Sequence, residues 1–202
     1  MPRFILGIAF ALAVWSVGSA ASAADFDALL PEMALGSADA PLTIYEHSSL
    51  TCGHCANFHR VTLPEIKKAY IDTGKVRLVF RDFPLDNLSY AAALLPHCAG
   101  PQRYFGFLEV LFRTQETWAG GKDPLGELKK VTRLGGMSAG DFEACLGNQP
   151  LFAAIRDRAA ADGKAYAIEA TPTFRIGNQN IVGGQPFDAF KKVIDEALKA
   201  SK

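Results

Sequence analysis

The chain has 202 residues, of which 49% are hydrophobic and 21% are charged, with 21 basic and 21 acidic side chains. This length and composition allow one packed domain, or a domain carrying a large insertion, and exclude a disordered or fibrous protein. The balanced charge gives no support for nucleic-acid binding, so the sequence predicts no nucleic-acid partner.

The first 23 residues have the three parts of a secretory signal peptide. Arg3 forms a short basic region, residues 4–17 are apolar, and small residues end at Ala23. We expect cleavage after Ala23 and export to the periplasm, with an uncleaved membrane anchor as the alternative. Downstream, no apolar stretch approaches the roughly 18 residues of a membrane span. The four cysteines are therefore interpreted as those of a protein in an oxidising compartment, where disulfides persist.

The next segments predict the start of an α/β fold. Residues 25–41 are expected to be a loosely ordered entry segment. Residues 42–45 are apolar and partly β-branched, which predicts a strand. Apolar positions at helical spacing predict a helix from 53 to about 72, kinked at Pro64. Residues 76–80 alternate as a second strand, which should lie parallel to the first because a helix connects them.

Residues 88–168 differ in character from the segments on either side. They contain Ala- and Leu-rich stretches at helical period and no strand-like stretch. This pattern predicts four or five helices inserted into the α/β fold. One helix is expected to break at Pro96, and residues 118–121 are expected to form a mobile loop.

The strand pattern resumes near the end of the chain. Residues 173–176 are followed by a turn at Gly177-Asn178 and by a second apolar stretch at 180–182. This turn chemistry predicts a hairpin. A final helix is expected from residue 186 to about 199.

The most specific motif is Cys52-Gly53-His54-Cys55, at the start of the first predicted helix. Unpaired backbone N–H groups and the positive end of the helix dipole favour a thiolate on Cys52, and His54 would place an imidazole near that charge. A structural disulfide rarely needs so short a loop, and no second cysteine pair has the spacing of zinc ligands. The motif therefore predicts redox chemistry.

A second motif, Thr171-Pro172-Thr173-Phe174, lies more than a hundred residues later. A proline can open a strand where its missing N–H is not needed, and a cis bond there would turn the preceding backbone toward the cysteines. An ordinary proline of an edge strand is the alternative interpretation.

With both motifs, the chain resembles the DsbA-like branch of the thioredoxin superfamily. The resemblance covers nearly all of the chain after the predicted signal peptide. It rests on five segments: Tyr45-Glu46-His47-Ser48, Thr51-Cys52-Gly53-His54-Cys55, Phe80-Arg81-Asp82-Phe83-Pro84-Leu85, Ala170-Thr171-Pro172-Thr173-Phe174 and Gly183-Gly184-Gln185-Pro186-Phe187. The resemblance implies a thioredoxin fold built from residues 24–87 and 169–202, with residues 88–168 as a helical insertion.

The same resemblance implies a role for individual residues. Cys52 matches an exposed nucleophile and Cys55 a buried resolving thiol. Pro172 matches a cis-proline that faces the disulfide, with Thr171 just before it. Glu46 matches a buried acid that would handle the proton of Cys55; a surface charge at a strand end is the alternative.

The implied activity is the oxidation of cysteines in other proteins by the Cys52–Cys55 disulfide. The expected substrates are unfolded or reduced exported proteins, a quinone-linked membrane protein of the DsbB type would reoxidise the pair, and no cofactor is expected. The dipeptide Gly53-His54 replaces the Pro-His of the best-known oxidases and leaves the potential open. Two alternatives remain: an isomerase or reductase kept reduced by a membrane donor, and a thiol-based chaperone or metal-handling protein.

The other two cysteines, Cys98 and Cys145, lie in the predicted insertion. Because an unpaired exposed thiol is a liability in an oxidising compartment, we predict a structural disulfide between them. Two separately buried free cysteines are the alternative.

A catalyst for many substrates also needs an apolar surface near its cysteine. The candidates are residues near Leu50 and Phe58, and the stretch 183–187, although Phe58 and Phe187 fit a core better.

Overall fold

The computed structural model of the protein describes residues 29–200, which contain a five-stranded sheet and eight helices. The strands are β1 (Ala34–Leu35), β2 (Leu42–Ser48), β3 (Val76–Asp82), β4 (Thr173–Ile176) and β5 (Gln179–Val182). The helices are α1 (53–71), α2 (Asn87–Ala99), α3 (Tyr104–Arg113), α4 (Gln115–Ala119), α5 (Pro124–Leu134), α6 (Ala139–Leu146), α7 (Gln149–Tyr166) and α8 (Phe187–Ala200). The predicted signal peptide, residues 1–23, lies outside the described residues.

The sheet has the order β1-β3-β2-β4-β5. As predicted, β2 and β3 are parallel, and β4 and β5 form an antiparallel hairpin. Strand β4 pairs antiparallel with β2, with His47 opposite Thr173. This register places the Thr171-Pro172 segment, just before β4, at the end of β2 that leads to the cysteines.

The segment before β2 is more ordered than the sequence indicates. Residues 34 and 35 form β1, which pairs antiparallel with β3 through Ala34–Val79 and Leu35–Leu78. Leu30 and Met33 are buried in the core. The prediction of a loosely ordered entry segment was wrong for residues 29–41, because a strand of two residues is too short to show an alternating pattern, and residues 25–28 lie outside the described part of the chain.

Helix α1 is continuous but irregular. Its α-helical parts, Gly53–Asn57 and Leu63–Ile66, alternate with π-helical turns at Phe58–Thr62 and Lys67–Ile71. Pro64 lies in the first turn of the second α-helical part, where its missing N–H is tolerated. The kink at Pro64 stays a prediction, and the irregularity that the structure shows is the pair of π-helical turns on either side of the proline.

The insertion contains six helices, α2 to α7, rather than four or five. The additional helix is α4, which has five residues and is separated from α3 by Thr114 alone. The residues predicted as a mobile loop include Trp118, which is fully buried in α4 and donates from Nε1 to the Leu111 carbonyl at 2.8 Å. The predicted break at Pro96 was also wrong, since this proline is buried inside α2. Tertiary packing outweighs the local signals at both places.

Two apolar cores meet near the cysteine motif. One joins α1 and α8 to the sheet and includes Ile44, Phe58, Ile66, Phe174, Phe190 and Ile194. The other joins the insertion to β3 and to the start of α1, and includes Leu50, Cys55, Phe80, Leu95, Phe112 and Trp118. Each large side chain contributes roughly 1.5–3 kcal/mol by burial. The start of α1 is therefore fixed from two sides.

A disulfide joins α2 to α6 within the insertion. The Cys98 and Cys145 sulfurs are 2.06 Å apart and the Cα atoms 6.0 Å apart. The alternative that Cys98 and Cys145 are two free cysteines is therefore wrong. Between residues 29 and 200, no helix is both long enough and apolar enough to span a membrane.

Candidate active site

Cys52 is the N-cap of α1 and lies half-buried at the surface. Its backbone is extended, with φ −80° and ψ 117°, and the helix begins at Gly53. The first backbone N–H groups of a helix have no partner within the helix. Those of His54 and Cys55 bond to the Cys52 sulfur. His54 contacts the Cys52 sulfur through its backbone N–H. Its imidazole is exposed at the surface.

These contacts make Cys52 strongly acidic. Its pKa is lowered from 9.0 to about 5, first by a hydrogen bond from the Cys55 thiol and then by Thr171 and the two backbone N–H groups. Partial burial opposes the shift. At neutral pH Cys52 is therefore a thiolate, which is the nucleophilic form of cysteine and also a good leaving group.

Cys55 has the opposite preference, although it lies in the same helical turn. Its side chain is fully buried, and burial raises the pKa of its thiol far above the ordinary value. The hydrogen bond to Cys52 raises it further, while a hydrogen bond with the Ser48 side chain opposes the shift. Both cysteines are free, so the structure shows the dithiol state, and the opposite pKa shifts favour an ionised Cys52 and a protonated Cys55 at neutral pH.

Thr171 and Pro172 face Cys52 from the other side of the site. The Thr171–Pro172 peptide bond is cis, and the Cys52 thiol, when protonated, donates to the Thr171 carbonyl at 3.3 Å. The segment is held by bonds from Gly183 N to Pro172 O, 2.7 Å, and from Thr173 Oγ1 to Ala170 O, 2.7 Å. The structure thus brings together residues 119 positions apart.

Glu46 lies beneath the cysteines and is fully buried, which contradicts the alternative of a surface charge. Its Oε1 accepts a hydrogen bond from Ser48 Oγ at 2.6 Å and lies 2.8 Å from His59 Nε2. Because alternate residues of a strand face the same side, Glu46 and Ser48 both point toward α1. Ser48 therefore connects this carboxylate with the Cys55 thiol.

Sequence reasoning missed three residues of the site. Ser48 and His59 had weak signals, since Ser48 lies two positions after Glu46 on a strand and His59 lies one helical turn after Cys55. Gln115, in α4, had none. Its buried amide donates to the carbonyls of Leu50, 2.8 Å, and Cys52, 3.0 Å, and so ties the cysteine loop to the insertion.

The surface expected near the cysteine is only partly present. Leu50 and Phe58 are buried in the two cores, so Leu50 is not part of such a surface and the preferred position of Phe58 in the core is confirmed. Gln185 and Pro186 are exposed, and Val182 at the end of β5 is 53% exposed. Gly184 lies close to the His54 carbonyl, where an added Cβ would be only 2.9 Å from the oxygen. This glycine allows the loop after β5 to approach the motif.

Comparisons with known proteins agree with this geometry. A family model described as thioredoxin matches residues 29–196. The crystal structure of alpha-DsbA1 from Wolbachia pipientis is 31% identical with a TM-score of 0.78, over 88% of this chain and 97% of that chain. BdbD from Bacillus subtilis is 25% identical with a TM-score of 0.68, over 83% and 93% of the two chains.

A curated relative from Rickettsia conorii, provisionally named a protein-disulfide oxidoreductase, is 31% identical over 172 residues. This match covers 85% of the present chain and 62% of the relative, so the chain spans about three fifths of that protein's length. The predicted thioredoxin fold with a helical insertion is confirmed by these structures and by the family match. The chain belongs to the thioredoxin superfamily and, within it, to the DsbA-like thiol:disulfide oxidoreductases.

Proposed function

We propose that this protein introduces disulfide bonds into other exported proteins by exchange with a Cys52–Cys55 disulfide. The observation that carries the proposal is the contrast between the two sulfurs: Cys52 is half-exposed with a pKa of about 5, and Cys55 is buried and protonated. A stabilised Cys52 thiolate favours the reduced pair, and a pair that is stable when reduced is a strong oxidant.

The reaction begins when a substrate thiolate attacks the Cys52 sulfur of the oxidised pair. The bond between Cys52 and Cys55 breaks, Cys55 leaves as a thiolate and takes up a proton, and a mixed disulfide forms on Cys52. A second substrate thiolate then attacks the substrate sulfur of the mixed disulfide. Cys52 leaves as a thiolate, and the substrate now contains a disulfide.

The other site residues have supporting roles in this proposal. The segment Thr171-Pro172 faces Cys52 and would position the substrate backbone beside the sulfur. Glu46, through Ser48, would handle the proton of Cys55. Gly53 and His54 form the first turn of α1, and the His54 N–H helps to hold the thiolate.

The location and the partners are part of the same proposal. The signal-like residues 1–23 support export to the periplasm, where the substrates would be unfolded or reduced proteins. Because each cycle leaves the pair reduced, a further oxidant is needed, and family membership favours a quinone-linked membrane protein of the DsbB type. The proposed reaction needs no cofactor, because thiol–disulfide exchange takes place between Cys52, Cys55 and the substrate thiols.

The proposal is tested by mixing the oxidised protein with a reduced, unfolded protein and counting the substrate thiols that remain. We expect each oxidised molecule to remove two substrate thiols. A protein that acts only when supplied reduced, and then rearranges mispaired disulfides, would be an isomerase or reductase instead. Protection of an unfolded client from aggregation by a variant lacking both Cys52 and Cys55 would favour a chaperone.

A further inference from the structure

The buried side of the site continues past Glu46 to a groove between α1 and α3. His59 is 2.8 Å from Glu46 Oε1 and stacks on Phe112 of α3, with ring centroids 4.1 Å apart. Its side chain is 7% exposed, and the histidine lines a groove of about 460 Å³. Three polar side chains, those of Ser48, Glu46 and His59, thus connect the buried Cys55 sulfur to this groove.

We propose that Ser48 is the group that exchanges a proton directly with Cys55, and that His59 is the positioning residue through which Glu46 exchanges that proton with water in the groove. The inference rests on the proposed function only in taking Cys52 as the exposed nucleophile. The groove at which this path would reach water is lined by residues of β1, α1 and α3 and not by Thr171 or Pro172.

The hydrogen bonds have the polarity that such a transfer needs. Ser48 donates its hydroxyl proton to Glu46 Oε1, so its oxygen can accept from the Cys55 thiol in the mixed disulfide, where Cys52 is no longer a thiolate that binds that proton. When Cys55 becomes a nucleophile, its proton passes to Ser48 Oγ and the Ser48 proton passes to Glu46. With His59 in the tautomer that carries its proton on Nδ1, Nε2 accepts the proton of Glu46 and Nδ1 releases its own proton to water, which leaves His59 in the other tautomer until the reverse sequence restores it.

The reverse sequence protonates Cys55 when it leaves as a thiolate during substrate oxidation. Each transfer moves one proton over one hydrogen bond and leaves Ser48 and Glu46 as they began. Without Ser48, the buried thiolate would lose the side-chain hydrogen bond that lowers the pKa of Cys55 and would keep the backbone bond from Ser49, which is costly at a fully buried site. The second oxygen of Glu46 has no hydrogen-bond partner, so Glu46 makes its bonds through Oε1 alone.

Other charged groups also face His59 and bear on any pH dependence. Arg60 and Lys67 on α1 line the same groove, as do Glu109 and Arg113 on α3. Arg113 and Glu109 pair with each other at 3.3 Å. On the inner side lies Tyr104, whose pKa is raised well above its usual value by burial and by the nearby carboxylates of Asp82 and Glu46. Tyr104 therefore stays neutral at the pH values of the test below.

The test follows the attack of Cys55 on a mixed disulfide at Cys52. The reduced protein is treated with one equivalent of Ellman's reagent, which places a nitrothiobenzoate group on Cys52 and releases a first equivalent of coloured nitrothiobenzoate. Cys55 then attacks the Cys52 sulfur and releases a second equivalent, and the rate of this second phase is measured by stopped flow between pH 4 and 9. This single turnover needs neither a substrate protein nor a reoxidant.

We expect Ser48→Ala to release the dye at least about tenfold more slowly, within the range that general acid–base groups contribute. Ser48→Thr should restore most of the rate because it retains the hydroxyl. His59→Gln can still bond to Glu46 but cannot carry a proton, so it should change the shape of the pH–rate profile as well as lower the rate. The matched control is His97→Gln, which removes another buried histidine–carboxylate pair, with Asp82 at 2.7 Å.

Unchanged rates and pH profiles in both Ser48→Ala and His59→Gln would overturn the inference. If Ser48→Ala does not fold, His59→Gln alone decides. An equal effect of His97→Gln would show a general loss of stability and would also overturn it. Failure of the proposed function is distinguishable, since wild-type protein would then either not load the dye on Cys52 or load it and fail to oxidise reduced proteins.

Discussion

Cys52 and Cys55 lie in one helical turn, yet burial and hydrogen bonding move their pKa values in opposite directions. The half-exposed sulfur is held by helix N–H groups and by the thiol of the buried one. This division lets one sulfur meet the substrate while the other remains out of reach until the pair must close. The difference between the two pKa values depends on where α1 begins. A side chain at the N-cap can accept from the unpaired N–H groups of the first helical turn, and Cys52 occupies that position.

Replacement of either cysteine separates their roles. Cys52→Ser should abolish the oxidation of reduced proteins, because no exposed sulfur remains to form the mixed disulfide. Cys55→Ser should instead accumulate mixed disulfides with substrates, visible as reducible bands of higher mass on non-reducing gels. Retention of disulfide-forming activity by Cys52→Ser would show that the nucleophile is wrongly assigned.

The acidity of Cys52 also predicts how stability depends on pH. Its pKa in the folded, reduced protein is about 5, against 9.0 for an unshifted thiol. A lowered pKa contributes stability that is complete above the unfolded value and is lost as the pH falls through the folded value. The raised pKa of Cys55 acts only above this range, since that thiol is protonated in both states at lower pH.

We therefore expect the reduced protein to become more stable relative to the oxidised protein as the pH rises from 5 to 9. Both forms should be unfolded with denaturant at several pH values, and the oxidised form serves as the control because its cysteines do not titrate. A difference that stays constant with pH over this range would contradict the lowered pKa.

At the scale of the elements, α4 connects the helical insertion to the active site. Gln115 is 5% exposed and donates to two carbonyls of the cysteine loop. Gln115→Ala should lower the free energy of unfolding by about 1–3 kcal/mol, because it leaves buried carbonyls without a partner. Denaturant unfolding measures the loss, and Glu116→Ala, an exposed change on the same helix, is the control and should have little effect. Equal free energies of unfolding for Gln115→Ala and Glu116→Ala would contradict a stabilising role for Gln115.

The disulfide between α2 and α6 should contribute to the stability of the insertion. Its cysteines are 47 residues apart, and a loop of that length corresponds to about 4 kcal/mol in the chain-entropy treatment. The double variant Cys98→Ala with Cys145→Ala should therefore have a lower unfolding free energy than the wild type, with the active-site pair reduced in both. An unchanged midpoint and slope of denaturant unfolding would contradict this.

The elements differ in how far the sequence could predict them. Strands β2 to β5 and helices α1 and α8 follow from alternation, helical spacing and turn residues, which are local signals. The two-residue β1 and the five-residue α4 could not be found that way, because they form through partners distant in the sequence. The buried positions of Trp118 and Pro96 were missed for the same reason, since tertiary packing decides both.

For the site, the sequence located the two motifs but not the buried residues that join them. Cys52, Cys55 and Pro172 were recognisable from spacing and from family resemblance. The contacts of Glu46 with Ser48 and His59 depend on how α1 packs over β2, and such packing leaves little trace in the local pattern. The role of Gln115 comes from an insertion helix 63 residues from Cys52.

At the scale of the whole molecule, the thioredoxin fold and the inserted helices meet at the start of α1. One core fixes this helix against the sheet and the other fixes Cys55 against the insertion. The sheet brings Thr171 and Pro172 to the same place through the pairing of β4 with β2. The molecule thus holds one reactive sulfur at the surface where the two apolar cores meet.

The central claim is that this pair is an oxidant, and its equilibrium potential tests that claim most directly. The purified protein should be equilibrated with mixtures of reduced and oxidised glutathione, and the reduced fraction of the Cys52–Cys55 pair measured at each ratio. The account predicts a potential of about −150 mV or higher, within the range of dedicated oxidants. A potential of about −200 mV or lower would contradict it and indicate an isomerase or reductase.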